Sequence, residues 1–163
     1  MDVDKLLSAL NNETNENVMH LTSDKIIENN LNNKQVDKII NNEISCYKVA
    51  ETDQFLAFLD INPNSEGHTL CVPKQEVNKL FDLDKSAYTD LMEFSRKVAI
   101  AIDKAIDCKR VGMTVIGLEV PHVHVHLIPI TAIKDVTFIN KVKLDKDEFI
   151  STSEKIALAY SSL

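Results

Sequence analysis

The chain has 163 residues, 44% hydrophobic and 26% charged, enough for one apolar core with a short appendage and too apolar for disorder throughout. Its formal charge of −7 argues against electrostatic attachment to nucleic acid or to an anionic membrane, both of which need a basic face. A small phosphate ligand stays compatible, provided a few placed side chains or backbone amides supply local positive charge.

Residues 1–33 are rich in asparagine and hold only short apolar clusters, around Leu6, Leu7 and Leu10 and again around Ile26, Ile27 and Leu31. We expect two short helices there, the second capped by Thr22 or Ser23, forming an extension to a single domain over residues 34–163. The start lacks the basic flank and apolar stretch of a secretion signal. No apolar run approaches the roughly 20 residues that span a bilayer, so a cytoplasmic location and no membrane partner are expected.

From Val36 the pattern sharpens. Val36, Ile39, Ile40 and Ile44 predict a short helix, and CYKVAE (46–51) and QFLAFLD (54–60) predict two strands joined at Thr52-Asp53. INPNSEG (61–67) is turn chemistry, and HTLCVP (68–73) predicts a third strand ending at Pro73, which suggests an antiparallel meander. Tyr88, Leu91, Met92, Val98, Ala99, Ile102, Ala105 and Ile106 carry the spacing of a long amphipathic helix, with Asp84 as its cap. Two strands follow, VGMTVIG (111–117) and HVHVHLI (122–128), and a closing helix is expected over 146–160. The class is therefore α+β. The three cysteines, Cys46, Cys71 and Cys108, are odd in number and widely spaced, and read as reduced core residues.

His122, His124 and His126 alternate with Val123, Val125 and Leu127. On a strand the three imidazoles would stand on one face, roughly 6–7 Å apart, with the apolar partners in the core. A lone histidine on a strand is usually a hydrogen-bonded structural residue. Three in register gain little as packing, because each polar ring needs its own partner. Two chemistries suit the row: attack on phosphorus by one ring while a neighbour assists the leaving group, or ligation of a metal ion.

AFLDINPNSEGHTLCVPK (57–74), a long helix and then PHVHVHLIP (121–129) resemble the histidine-triad nucleotide-binding family over roughly residues 35–130. The resemblance implies a five-stranded antiparallel sheet, extended across a two-fold axis into ten strands in a homodimer. It implies that His124 is the nucleophile, forming a nucleotidyl-histidine intermediate that water hydrolyses. His122 would orient it, His126 would hold the phosphate and its leaving group, His68 would support the triad, and Asp60 and Ile61 would border ribose and base. Substrates would be purine nucleotides: nucleoside phosphoramidates, acyl or aminoacyl adenylates, or dinucleoside polyphosphates. With only Gly67, Gly112 and Gly117 present, there is no Gly-rich phosphate cradle, so imidazolium donors and a few amides would meet the phosphate. No cofactor or metal is then required.

The chain departs from that pattern in TVIGLEVPHVHVH (114–126), where Leu118 and Glu119 stand in place of the family's phosphate-touching Gln-Ser or Gln-Thr pair. A carboxylate beside a phosphate is repulsive unless protonated, paired or turned away. Glu119 is expected either to face solvent, giving only its amide, or to favour a cationic leaving group or serve as base for the hydrolytic water. Asp37 stands where the family's first metal-binding cysteine would be, which argues against a structural zinc. The leading expectation is a nucleotide hydrolase or transferase. Its rivals are a nucleotide binder with little turnover and a metalloprotein that uses the histidine row.

Overall fold

The computed structural model describes residues 35–163, so the two helices expected in residues 1–33 fall outside the described residues. Five strands, β1 (Lys48–Glu51), β2 (Phe55–Leu59), β3 (Thr69–Pro73), β4 (Arg110–Thr114) and β5 (Val125–Ile130), form one sheet in the order β1-β2-β3-β5-β4. Every pairing is antiparallel. Residues 35–40 are helical, α1 spans Lys85–Ala105 and α2 spans Lys146–Ser161. The expected α+β class and the opening meander are both present.

Local chemistry explains where the elements begin and turn. Thr52 shapes the β1–β2 turn, its hydroxyl accepting from the amides of Gln54 and Phe55 while its own amide donates to Phe55 O. The Asp84 side chain accepts from the Ala87 amide at 2.9 Å and starts α1, as expected. At α2, Asp145 and Glu148 form a reciprocal capping box.

Alternation sorts the strand residues onto two faces. Phe55, Ala57, Leu59, Cys71, Val123, Val125 and Leu127 pack with Leu91, Val98 and Ile102 of α1 and with Phe149 and Ile156 of α2. Each fully buried aliphatic side chain contributes about 1.5–3 kcal/mol against leaving it in water. Leu56, Phe58 and Val72 face the other way, under Val36, Ile39 and Ile40 of the 35–40 helix. His126 lies on this second face as well, being the register partner of Leu70, which packs in the same cluster.

Three expectations need correction. The last strand begins at Val125, not at residue 122, so His122 and His124 precede regular pairing. It also runs through Pro129 to Ile130. Thr69 of β3 pairs with Leu127 and no further, so a missing amide at Pro129 costs the β3 ladder nothing, and the Ser65 hydroxyl donates to Pro129 O at 2.6 Å. Of the cysteines, only Cys71 is buried, its thiol pushed up to about 12 by burial; Cys46 and Cys108 are half-buried.

The turn before β3 depends on Gly67, which has φ +83°, and a Cβ there would lie 2.9 Å from Ile106 Cγ1. Gly67→Ala should cost about 1–3 kcal/mol from the left-handed backbone and the forced shift of Ile106. A lowered urea midpoint with unchanged slope is the expected reading. An unchanged midpoint would mean that the turn relaxes freely.

Candidate active site

A cleft of about 810 Å³ opens on the second sheet face. His124, His126, Asp60, Ile61, Leu118 and Glu119 all line it, bringing together six of the eight residues expected at the site. Leu118 and Ile61 are largely solvent-facing, and Glu119 is exposed at the rim. His68 and His122 sit behind the wall, both fully buried.

The partners of each ring fix where its proton lies. His124 Nδ1 stands 2.6 Å from the backbone carbonyl of His122, which can only accept; Nδ1 therefore carries the hydrogen, and Nε2 keeps its lone pair. The same reasoning applies to His122, whose Nε2 donates to Pro73 O at 2.8 Å. Its Nδ1 is buried with no hydrogen-bond partner among the described residues and lies 3.8 Å from Asp37 Oδ1. The first triad histidine thus orients the second through its carbonyl, while its own ring is anchored to the end of β3.

A second chain of bonds starts at Asn64. Its amide donates to His68 Nδ1 at 3.1 Å, which leaves the His68 proton on Nε2. That nitrogen donates in turn to His126 Nδ1 at 3.0 Å, so the His126 proton sits on Nε2. Burial, with smaller contributions from neighbouring rings and Lys141, pushes the His68 and His126 imidazoles down to about 3. Both rings are therefore neutral at pH 7. This corrects the expectation of imidazolium donors: His126 offers a neutral N–H. The His124 and His126 rings meet edge to face, with centroids 4.8 Å apart.

Asp60 is held beside them. Its amide donates to His68 O, and its Oδ1 accepts from the Asn62 amide at 2.8 Å. Burial raises this carboxyl above the usual aspartate range, opposed by the Asn62 bond and by Lys141. The three triad rings do not converge on a common point. Among the described residues, Asp60, His68 and His126 are the one set of His, Cys, Asp or Glu donors whose atoms come within 4.8 Å of one another, and the Asn64 and His126 bonds already occupy both nitrogens of His68. The histidine row as such is no ligand set.

Sequence reasoning missed Asn64, Phe138 and Lys141. Asn64 is buried and acts as a hub: its Nδ2 donates to Asp135 O and its Oδ1 accepts from Lys141 Nζ at 2.6 Å. Phe138 lies edge-on to both His68 and His126, in a left-handed conformation with φ 61° that is costly for a bulky side chain. The run of Asn and Ser before His68 could have signalled the hub; nothing near residues 137–141 signalled the other two.

The family model of the HIT domain matches residues 41–132, more than half of the chain and inclusive of the whole histidine constellation. The chain belongs to the HIT family. An uncharacterised HIT-like protein of Borreliella burgdorferi is 34% identical over 130 residues, which cover 74% of this chain and 94% of that relative. The adenosine 5'-monophosphoramidase of Saccharomyces cerevisiae is 41% identical over 95 residues, 56% of this chain and 59% of the yeast protein. Among solved structures, a hypothetical histidine triad nucleotide-binding protein from Sulfolobus tokodaii superposes with a TM-score of 0.68 at 26% identity, over 79% of this chain and 93% of that one. The five-stranded sheet is thus the HIT fold. Phe138 and Lys141 lie beyond the matched HIT domain yet border its cleft.

Proposed function

We propose that this HIT protein hydrolyses or transfers the nucleotidyl group of purine nucleotides at the α-phosphate, through a covalent intermediate on His124. The observation that carries the reading is the 2.6 Å bond from His124 Nδ1 to His122 O, which leaves Nε2 as a lone pair on a ring lining the cleft beside His126. In the first step a bond forms between Nε2 and phosphorus as the bond to the leaving group breaks. The electron pair goes to that group, which departs as an amine with a proton from water, as a carboxylate from an adenylate, or as a nucleoside polyphosphate anion. The positive charge that develops on His124 is shared through Nδ1–H with His122 O. His126 Nε2–H donates to a phosphoryl oxygen as its charge builds. Water then attacks phosphorus, the pair returns to Nε2, and the proton is lost to solvent.

Asp60 and Ile61 border the ribose and base, and Leu118 and Glu119 form the rim on the leaving-group side. Exposure at the rim favours the reading in which Glu119 faces solvent and gives the phosphate only its amide. Two copies joined at β4 would build the ten-stranded sheet: β4 is an edge strand, and Met113 and Ile116 are exposed along it and just past it. Among the described residues no helix is long and apolar enough to cross a membrane.

The test is release of AMP and GMP from nucleoside phosphoramidates, adenylates and dinucleoside polyphosphates, with binding measured on the same samples. Turnover of at least one class is expected. Tight nucleotide binding with no turnover of any class would favour the binding-only reading, which the Leu118-Glu119 rim supports by removing phosphate contacts.

A further inference from the structure

We propose that Lys141, supplied by the segment that follows the matched HIT domain, is a specificity-determining residue that makes the cleft prefer nucleotides whose α-phosphate carries a further phosphate over those whose leaving group is uncharged. This rests on the reading of the cleft as an α-phosphate site.

Among the described residues that line the cleft, Lys141 is the one lysine or arginine. The groups around it make its charge matter. His68 and His126 are neutral, and Asp60 and Glu119, the cleft's carboxyl groups, carry the opposite sign. In a chain with a formal charge of −7, Lys141 is the placed cation that a polyanionic ligand requires. One phosphoryl group can be served by the His126 N–H and by backbone amides; a second phosphate adds charge that neutral donors meet less well.

Its position is built. Nζ donates to Asn64 Oδ1 at 2.6 Å and stands 5.1 Å from the centre of the Phe138 ring. The next residue is pinned by Val142 N–H donating to Pro63 O. Asn64 is the same buried residue whose amide fixes the His68 tautomer, so the cation and the histidine relay share one anchor. Ordering a lysine costs up to about 2 kcal/mol of side-chain entropy, yet here the partner is a neutral amide. No carboxylate of the described residues lies within 4.0 Å of Nζ. A lysine ordered merely to tie the tail to the domain would gain more from an acidic partner in contact; an ammonium at a cleft wall that feels Asp60 only from beyond ion-pair distance keeps its donors available to an incoming anion.

The experiment compares kcat/KM for diadenosine tetraphosphate and adenosine 5'-phosphoramidate in the wild type, Lys141→Met and Lys141→Arg, and measures ADP and AMP binding to each by calorimetry. Lys141→Met should lower the ratio of the two kcat/KM values by about tenfold and remove the tighter binding of ADP over AMP, while Lys141→Arg keeps both preferences. A ratio unchanged in Lys141→Met, with both substrates affected alike, would overturn the proposal and leave Lys141 as a tether. Should the Met variant not fold, the wild type still decides: its ADP-over-AMP preference must exist and must shrink as salt rises, and its absence overturns the proposal. Binding separates this outcome from a failure of the α-phosphate reading, in which wild type turns over neither substrate and binds neither nucleotide.

Discussion

His124→Ala should lose at least about a thousandfold in turnover on every substrate the wild type accepts, while nucleotide affinity changes by only a few-fold. The size follows from geometry. No other imidazole in the cleft can take over as nucleophile: His122 is sealed behind the wall, His68 is buried with both nitrogens engaged, and the free nitrogen of His126 carries its proton. The fold should survive, because the His124 side chain is half-buried and its described hydrogen bond runs to a backbone carbonyl two residues away, which water can satisfy instead. Matching thermal unfolding of the two proteins is the control. Residual activity above about a tenth of wild type would remove His124 from the chemistry.

The second large effect is on acid stability. His68 and His126 have folded-state values of about 3 against an ordinary 6.5, so both rings stay neutral in the native protein where the unfolded chain takes up protons. Stability is therefore highest above pH 6.5 and falls as pH drops toward 3, by up to about 1.4 kcal/mol per pH unit for each ring. The window from pH 6.5 to 5 weights the pair most, since carboxylates held low in the fold, such as Asp135 with the Thr131 and Ala132 amides on it, lose their contribution only at lower pH. The Asp60 carboxyl, raised above its ordinary value by burial, opposes the fall in part. Urea midpoints across that window should slope downward in the wild type, and about half as steeply in His126→Gln. A flat profile between pH 6.5 and 5 would mean that the pair is protonated in the folded state, and the neutral relay would be wrong.

Much of this was legible in the sequence, for identifiable reasons. The strands and α1 follow from periodicity, and their starts from Asp84 and Thr52, whose side chains cap or turn the chain locally. The alternation in HVHVHLI correctly sent Val123, Val125 and Leu127 to the core. It could not show that regular pairing starts only at Val125, because that depends on where β3 begins to pair, a property of another segment. Protonation was equally hidden: composition suggested charged imidazoles, whereas the neutral pair results from burial against Phe138 and from the Asn64 amide, 62 residues from His126 in sequence. Phe138 and Lys141 escaped because a single aromatic and a single lysine in an irregular segment carry no period and no motif. Their roles come from a chain reversal that the Asp135 turn and the Val142 to Pro63 bond enforce.

The covalent intermediate is the central claim, and rapid quenching into alkaline denaturant followed by peptide mass spectrometry tests it most directly. With a substrate that the wild type turns over, the peptide containing His124 should gain the mass of one nucleoside monophosphate, and the adduct should be absent from His124→Ala. Turnover with no adduct on any histidine, and with inverted configuration at phosphorus, would mean that water attacks directly and would contradict the account.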